Sequence, residues 1–260
     1  MNTKTLSIIV PAYNESMRIG RTLSRIRSYF NRKKISYEVI VVDDGSTDGT
    51  AEVARGFRSG VENLRVLINE ENKGKGFSVQ RGMLAASGEH RLFMDADGSV
   101  DIAHLDSFME CAREGCDVVI GSIHARQSAV REHNGWHRRI LGKLANAAIQ
   151  TLAVPGIRDT QRGFKLFSAA AADFIFRMQT IERFGFDIET LVIAHNGGFT
   201  IQELPVAWDN PAGSSVTLKS YAQTLGELAR ITLNRMAGKY APREKALLEH
   251  IPGVASLTRN

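Results

Sequence analysis

Asp95 and Asp97 are the two residues of this chain whose spacing most clearly suggests chemistry. They are separated by one residue and directly follow a hydrophobic run at 92–94. Side chains two residues apart on an extended backbone point to the same side, so both carboxylates can reach one ion at a strand end. Mg²⁺ and Mn²⁺ take a few carboxylate ligands and complete their shell with water and phosphate oxygens. The triplet predicts a divalent cation site, although by itself it also fits a solvated turn.

Residues 11–15 form a second polar cluster after a hydrophobic run. Tyr13 offers an aromatic face and Glu15 a carboxylate, which together suit a nucleobase and its sugar. A helix entry with Asn14 or Ser16 as the cap is the alternative, and the segment can serve both purposes.

Asp43 and Asp44 follow the hydrophobic run 39–42. Their carboxylates can accept hydrogen bonds from a base N–H or from ribose hydroxyls. A turn that caps the next helix through Thr47 or Asp48 is the alternative. We favour nucleotide binding for Asp43.

Residues 73–76 read Lys-Gly-Lys-Gly and only loosely resemble a phosphate loop. They lack the full spacing of a P-loop and its final Lys-Ser or Lys-Thr. The two glycines and the cations of Lys73 and Lys75 still suit a nucleotide. A basic surface turn before a helix is the alternative.

The elements that must position these clusters alternate between strand and helix. Strands that are hydrophobic throughout and separated by helices predict a parallel sheet covered on both faces, in one α/β domain. Ligands of such sheets bind beyond the carboxyl ends of the strands, so all four clusters should share one edge. The predicted strands are 6–10, 39–42, 64–68, 90–94 and 117–120, and the predicted helices are 19–30, 51–57, 77–86, 103–113 and 218–236.

Composition sets the general class of protein. The chain has 260 residues, of which 43% are hydrophobic, and a formal net charge of +5. This length suits one large domain over residues 1–240, followed by an extension over 241–260 that we expect to be flexible. The positive charge favours an anionic partner, such as nucleic acid, a phosphorylated substrate or an acidic membrane face. The ordered acidic loops argue against nucleic acid, because they would repel its phosphates.

Membrane and redox features point to the cytoplasm. No hydrophobic run approaches the roughly 18–20 residues that span a bilayer, and the N-terminus lacks the core of a signal peptide. Cys111 and Cys116 are the two cysteines. They form neither a disulfide framework nor a Cys/His zinc pattern, which favours a reducing setting. We expect a cytoplasmic protein, with peripheral contact to the inner membrane face as an option.

Four ordered motifs resemble the inverting, family-two nucleotide-sugar glycosyltransferases of the GT-A fold. They lie at 9–15, 42–48, 72–76 and 95–98, and the likeness covers about residues 5–240. Within that family, segments 156–165, 184–189 and 203–208 are similar to the polyprenyl-phosphate (dolichyl-phosphate) glucosyltransferases. Mannosyl members usually have Leu where Gly98 follows Asp-Ala-Asp here.

The resemblance implies roles for the clustered residues. The nucleoside of the donor would contact Pro11, Ala12, Tyr13, Glu15, Asp43 and Asp44, with Lys75 near the phosphates. Asp95 would bind donor or metal, Asp97 would ligate Mg²⁺ or Mn²⁺, and Ser99 is a third candidate contact. The metal would neutralise the leaving diphosphate.

The acceptor implied by the resemblance is a polyprenyl phosphate. Such a monoester has a second pKa of roughly 6 and can attack the sugar without a general base. Arg138 is our candidate for its phosphate, because it lies where similar enzymes tend to carry an arginine for the acceptor phosphate, and bidentate arginine contacts are strong. The other candidates on the acceptor side are Arg126, Asp159, Arg162, Lys165 and Ser214. Of these, Asp159, Arg162 and Lys165 are assigned to a loop before a short strand.

Two sequence departures and two alternative functions stay open. Ile123 and Ser215 stand where relatives commonly have Arg and Lys, which weakens the phosphate-binding assignments. A glycosyltransferase with another donor, such as GDP-mannose, or with a hydroxyl acceptor is one alternative, and Asp187 or Glu189 would then be the base. A non-catalytic nucleotide-sugar binding protein is another. A hydrophobic stripe on 218–236 (Leu225, Leu228, Ala229, Thr232 and Met236) predicts core or a homodimer interface rather than membrane docking.

Overall fold

The structure is a computed structural model that describes residues 5–33, 35–61, 63–123, 130–131, 156–209 and 218–240. The predicted extension over 241–260 lies outside this part of the chain. The strands are β1 (Leu6–Ala12), β2 (Tyr37–Asp43), β3 (Leu64–Ile68), β4 (His90–Met94), β5 (Val118–Ser122), β6 (Val130–Arg131), β7 (Phe164–Ser168), β8 (Ile201–Pro205) and β9 (Trp208–Asp209).

The described helices match the predicted alternation in the first half of the chain. Two further helices follow β7, where the sequence alone had not indicated any. The helices are α1 (Ser16–Phe30), α2 (Thr50–Gly56), α3 (Lys75–Ala85), α4 (Leu105–Arg113), α5 (Ala169–Met178), α6 (Phe186–Asn196) and α7 (Leu218–Met236), with a 3-10 turn at Ile102–His104 before α4.

Seven strands form one mixed sheet in the order β3-β2-β1-β4-β7-β5-β8. All neighbouring pairs in it are parallel except those of β7, which runs antiparallel to both β4 and β5. The prediction of a mostly parallel sheet flanked by helices is confirmed. The short strands β6 and β9 pair with each other outside this sheet.

Both faces of the central strands are buried. Every residue of β1 and of β2 is buried, and alternate residues enter opposite cores. Ile8 and Val10 contribute to one core, whereas Ile9 packs into the other. This alternation explains why the strands are hydrophobic throughout, since each successive side chain faces a helical layer.

Helix α1 covers the first face through the predicted spacing. Its buried residues Ile19, Leu23, Ile26 and Phe30 recur every three or four positions, so they form one stripe. Burying each such side chain stabilises the fold by roughly 1.5–3 kcal/mol. The opposite face is covered by α3, α5 and α6, which pack in the second core.

One prediction about an individual element is corrected and another holds in part. Lys165 lies inside β7 rather than in the loop before it. Helix α7 has the predicted bounds, but its buried residues include Leu228, Ile231 and Asn234, whereas Met236 is 80% exposed. Leu228 of the predicted stripe is in the core, while Ile231 and the polar Asn234, which donates a hydrogen bond to Tyr240, take other inward positions. A homodimer interface on this helix stays a prediction.

The two cysteines also differ from expectation. We expected both to remain reduced, but Cys111 and Cys116 form a disulfide at the end of α4. The helix ends between them, which lets the chain turn back and bring residues five apart into contact. Within the described residues, no helix is both long and hydrophobic enough to cross a membrane.

Candidate active site

The loops after β1 and β2 are fastened to each other at the carboxyl edge of the sheet. The backbone N–H of Asp44 donates to the carbonyl of Ala12 at 2.8 Å. Side chains of the second loop also satisfy the N–H groups that precede and begin α1, where no helical partner exists. The donor–acceptor pairs are Asn14 N with Ser46 Oγ (2.9 Å), Glu15 N with Thr50 Oγ1 (2.8 Å) and Ser16 N with Asp48 Oδ2 (3.0 Å).

Asp48 therefore serves the capping role that the sequence had left as an alternative, and it serves two helices. Its Oδ1 accepts from the backbone N–H of Thr50 at 3.0 Å, while Oδ2 accepts from Ser16. Although partial burial raises its pKa, hydrogen bonds from Thr50 and Ser16 favour the carboxylate and lower the pKa of Asp48 to about 2.

Asp43 and Asp44 have different surroundings although they are adjacent. Asp43 is buried at the end of β2 and accepts one hydrogen bond, from Ser46 N at 3.1 Å. Asp44 accepts three: from Asn69 Nδ2 (2.7 Å), Lys73 N (3.1 Å) and Gly74 N (2.8 Å). Asp44 therefore positions the loop before α3, and its contact with substrate stays a prediction.

The predicted nucleoside residues before α1 lie at the same edge. Pro11 and Ala12 are buried at the end of β1, while the Tyr13 ring is 47% exposed and available for stacking. Glu15 forms an ion pair with Arg18 at 2.6 Å. Burial raises the pKa of Glu15, Arg18 opposes the rise, and the charges of Asp97 and Asp95 add to it. The ionisation of Glu15 therefore depends on the charges of Asp95 and Asp97.

The loop that carries Asp95 and Asp97 is held by backbone contacts. Thr22 Oγ1 donates to the Ala96 carbonyl at 2.6 Å, and Arg25 Nη1 donates to the Gly98 carbonyl at 3.1 Å. Gly98 has a φ of +67°, a conformation that glycine adopts without strain. Helix α1 thus fixes the loop from one side.

Asp97 and Ser99 are brought together, although through the backbone. The N–H of Ser99 donates to Asp97 Oδ1 at 2.9 Å. Among the described residues, Asp97 Oδ2 has no hydrogen-bond donor. This oxygen is therefore open to an external ligand.

Lys75 pairs with Asp95 at the start of α3. Its Nζ lies 2.6 Å from Asp95 Oδ1 and 5.2 Å from the centroid of the Phe93 ring. Burial lowers the pKa of Lys75, but the charges of Asp95 and Asp187 outweigh burial and raise it overall. The Lys75 ammonium group is therefore kept protonated at the carboxyl edge, next to the predicted donor site.

A second and deeper ion pair joins β7 to α6. Lys165 Nζ contacts Asp187 Oδ1 and also donates to the Arg162 carbonyl at 2.6 Å. The two side chains are 1% and 5% exposed. Burial raises the pKa of Asp187, and the nearby charges of Lys165 and Lys75 oppose the rise. Both lysines lie near the Phe93 ring, with Lys165 Nζ 5.6 Å from its centroid.

Glu189, the other candidate base, is completely buried and fully used. Oε1 accepts hydrogen bonds from two hydroxyl groups, and Oε2 accepts from two backbone N–H groups. The donors are Thr180 Oγ1 (2.6 Å), Tyr240 OH (2.7 Å), Thr180 N (2.9 Å) and Ile181 N (2.7 Å). Glu189 therefore links α6 to the residue that follows α7 rather than facing a substrate.

Asp159 and Arg162 form an ion pair in the segment before β7. Arg162 Nε donates to Asp159 Oδ2 at 2.9 Å, and Ile123 N donates to the same oxygen at 3.2 Å. The Arg162 guanidinium lies over Trp208, 4.7 Å from the ring centroid. Arg126, Arg138 and Ser214 lie outside the described residues, so their roles remain predictions.

The carboxylates present fit a divalent cation that takes its remaining ligands from the substrate and from water. Two carboxylates, on Asp95 and Asp97, lie in one short loop, with Glu15 close enough for their charges to raise its pKa. In the described part of the chain there is no cluster of three or more acidic, cysteine or histidine side chains with metal-binding spacing. Mg²⁺ or Mn²⁺ held here would need phosphate or water oxygens as further ligands.

Two residues that matter to the site were not singled out from sequence. The Gly163 carbonyl accepts from Asp95 N at 3.0 Å, and a β-carbon on Gly163 would overlap the Asp95 carboxylate. Trp208 covers Arg162. Both residues lie in segments that resemble the glucosyltransferases, 156–165 and 203–208, and that resemblance was the available signal.

The fold and the acidic carboxyl edge define a glycosyltransferase of the GT-A class. A glucosyl-3-phosphoglycerate synthase from Mycobacterium tuberculosis, solved with Mn²⁺, UDP-glucose and phosphoglyceric acid, superposes with a TM-score of 0.64 at 18% identity, covering 93% of this chain and 81% of that one. Mannosyl-3-phosphoglycerate synthase from Rubrobacter xylanophilus gives 0.65 at 18% identity, covering 93% and 77%. At these identities the likeness shows the fold.

The chain belongs to glycosyl transferase family 2, whose family model matches residues 7–176. It is 35% identical over 246 residues to the dolichyl-phosphate β-glucosyltransferase of Dictyostelium discoideum, covering 90% of this chain and 75% of the relative. The Drosophila melanogaster and human enzymes of that name are 37% and 34% identical, covering 90% and 92% of this chain and 76% and 78% of the relatives. The protein is a glycosyltransferase.

Proposed function

We propose that this protein transfers glucose from UDP-glucose to a polyprenyl phosphate such as dolichyl phosphate, inverting an α-linked donor to a β-linked product. The observation that carries the proposal is the likeness to dolichyl-phosphate β-glucosyltransferases over nine tenths of the chain. The arrangement of Asp95, Asp97 and Lys75 at one edge supports it, because a nucleotide diphosphate needs both cationic and metal contacts.

The geometry supports the assignment of the donor half of the site. Tyr13 offers an exposed ring for the base, and Asp43 lies at the adjacent strand end for the sugar hydroxyls. Lys75 Nζ, next to Asp95, supplies a positive charge to the diphosphate. When Mg²⁺ or Mn²⁺ is bound, Asp97 and Asp95 would hold it, and it would stabilise the leaving diphosphate as a Lewis acid.

The acceptor half is supported by what Asp187 does. A general base needs an accessible carboxylate within reach of the hydroxyl whose proton it removes. Asp187 is 5% exposed and paired with Lys165. A phosphate monoester, which is mostly dianionic at neutral pH, needs no such base. The pairing therefore favours a phosphate acceptor over a sugar hydroxyl.

A direct test measures nucleotide release by the purified protein with a polyprenyl phosphate and a divalent cation. We expect UDP to be released from UDP-glucose only when acceptor and cation are both present, with little GDP from GDP-mannose. Faster release with GDP-mannose would reassign the donor. Asp187→Asn separates the hydroxyl alternative when it is assayed at a temperature where thermal unfolding shows the variant to be folded, because it removes the charge that pairs with Lys165. The folded variant should bind donor and keep most turnover, whereas loss of turnover with intact donor binding would indicate a base.

Two further assignments extend the proposal. A lipid acceptor would bring the protein to a membrane surface as a peripheral protein on the cytoplasmic side, and a homodimer remains a prediction. Donor binding without consumption under any of these conditions would instead support a non-catalytic nucleotide-sugar binding protein.

A further inference from the structure

The Arg162 guanidinium is held in place on two sides. Its Nε donates to Asp159 Oδ2 at 2.9 Å, and its plane lies 4.7 Å from the centroid of the Trp208 ring. Neither terminal nitrogen has a hydrogen-bond partner among the described residues, and the side chain is 23% exposed. A guanidinium fixed through Nε still presents its terminal N–H groups, which match two oxygens of a phosphoryl group.

Arg162 also lies beside the Asp-x-Asp loop. The next residue, Gly163, is in contact with Asp95, whose backbone N–H donates to the Gly163 carbonyl at 3.0 Å. The Arg162 carbonyl itself accepts from Lys165 Nζ. The backbone at 162–163 is therefore fixed between the loop that carries Asp95 and Asp97 and the buried Lys165–Asp187 pair, which places the root of the Arg162 side chain beside Asp95.

Trp208 is anchored to the same loop by its backbone. It forms an antiparallel bridge with Val100, and the N–H of Asp209 donates to the Ser99 carbonyl at 3.0 Å. The ring packs against the core on the α1 face of the sheet. Trp208 thus connects the residues that follow Asp97 to the Arg162 guanidinium, which lies over the Trp208 ring.

We propose that Trp208 is a positioning residue that, together with Asp159, holds Arg162 to bind a phosphoryl group beside Asp95. The inference rests on the proposed function, since both substrates of that reaction carry phosphate. The phosphoryl group belongs either to the acceptor or to the diphosphate of the donor. A flat aromatic face is needed because it restricts the guanidinium plane, and lysine could not replace arginine there.

The steady-state test compares Trp208→Leu, Trp208→Phe, Arg162→Ala and Arg162→Lys. We expect Trp208→Leu to raise the KM of one phosphate-bearing substrate about tenfold, as loss of a partly desolvated cation–π contact implies. Trp208→Phe should keep a KM close to that of the wild type, because it retains an aromatic face. Arg162→Lys should raise the KM about as much as Arg162→Ala does, because lysine lacks the planar guanidinium. A rise in acceptor KM assigns the acceptor phosphate, and a rise in donor KM assigns the diphosphate.

Coupling between the two residues is the stricter readout. The double variant Trp208→Leu/Arg162→Ala should be no worse than Arg162→Ala alone, because Trp208 acts through Arg162. Additive losses, or unchanged KM values for both substrates, would overturn the proposal. Arg58→Ala removes an exposed arginine beyond α2 and is the charge-matched control that should leave both KM values unchanged.

A binding measurement separates this inference from the proposed function. Calorimetric titration of the wild type with inorganic phosphate and with pyrophosphate requires no turnover. Weaker binding of one anion to Trp208→Leu and to Arg162→Ala would support the phosphoryl site even if polyprenyl phosphate proved not to be the acceptor. Equal binding by wild type and both variants would overturn it. If Trp208→Leu does not fold, Trp208→Phe and the Arg162 variants carry the same comparison.

Discussion

Gly163 and Asp95 fit together because residue 163 has no side chain: a β-carbon at that position would overlap the Asp95 carboxylate. The backbone N–H of Asp95 donates to the Gly163 carbonyl at 3.0 Å. This hydrogen bond joins the loop that carries Asp95 and Asp97 to the segment before β7. Any larger residue must therefore displace either the carboxylate or the loop.

We expect Gly163→Ala to lower transfer activity by about tenfold or more, because a displacement of about 1 Å at a reacting centre can cost about a hundredfold. Activity and donor binding should fall together, since Asp95 is moved. Gly56→Ala is the control: nothing lies within 4 Å of a β-carbon there, so it should keep full activity. A fully active Gly163→Ala protein would show that the Asp95 carboxylate has no role.

The buried Lys165–Asp187 pair predicts strong, non-additive effects on stability. Removing one partner, as in Asp187→Leu or Lys165→Met, leaves an uncompensated buried charge and should cost about 3–5 kcal/mol of unfolding free energy. Replacing both, as in Lys165→Met with Asp187→Leu, should cost less than either single change. Urea denaturation of the two single variants and the double variant provides the comparison. Equal and additive losses would mean that the pair is well solvated.

His104 predicts the direction of a pH effect on stability. Its Nε2 accepts a hydrogen bond from Ala207 N at 3.1 Å, which requires a neutral ring. Burial lowers the pKa of His104, with Asp101 opposing. The folded state therefore binds its proton less readily than the unfolded state, so the stabilisation is present above the ordinary histidine pKa and is lost as the pH falls through the lowered one.

The measurement is the unfolding free energy at about pH 7.5 and about pH 5.5, on either side of the ordinary histidine pKa. Wild type should be less stable at the lower pH, and His104→Gln should show a smaller difference. An unchanged or larger difference in the variant would show that His104 does not contribute to the pH dependence.

The sequence predicted the carboxyl-edge loops because hydrophobic strands and polar turns alternate along the first half of the chain. It did not reveal the direction of β7, since a short hydrophobic segment reads alike in either orientation. Lys165 was therefore assigned to a loop. Its partner Asp187 lies 22 residues away in sequence, and such tertiary pairs have no periodic signal.

Local rules also failed where two elements meet. Asp48 was considered only as a cap for the helix that follows it, yet it also caps α1, which is 32 residues earlier. The stacking of Arg162 on Trp208 depends on the pairing of β9 with residue 100, which no spacing within either segment indicates. These contacts arise from the sheet order, which brings distant strand ends together.

The central claim is metal-dependent glucosyl transfer to a polyprenyl phosphate. The most direct test incubates the purified full chain with radiolabelled UDP-glucose, a polyprenyl phosphate and Mg²⁺ or Mn²⁺, and follows label into an organic extract. We predict extracted label that disappears with a chelator, returns when the cation is restored, and falls by at least about a hundredfold in Asp97→Asn, as loss of a Lewis-acid ligand implies. Donor binding that depends on the cation, with no extracted label, would contradict the assignment of the acceptor.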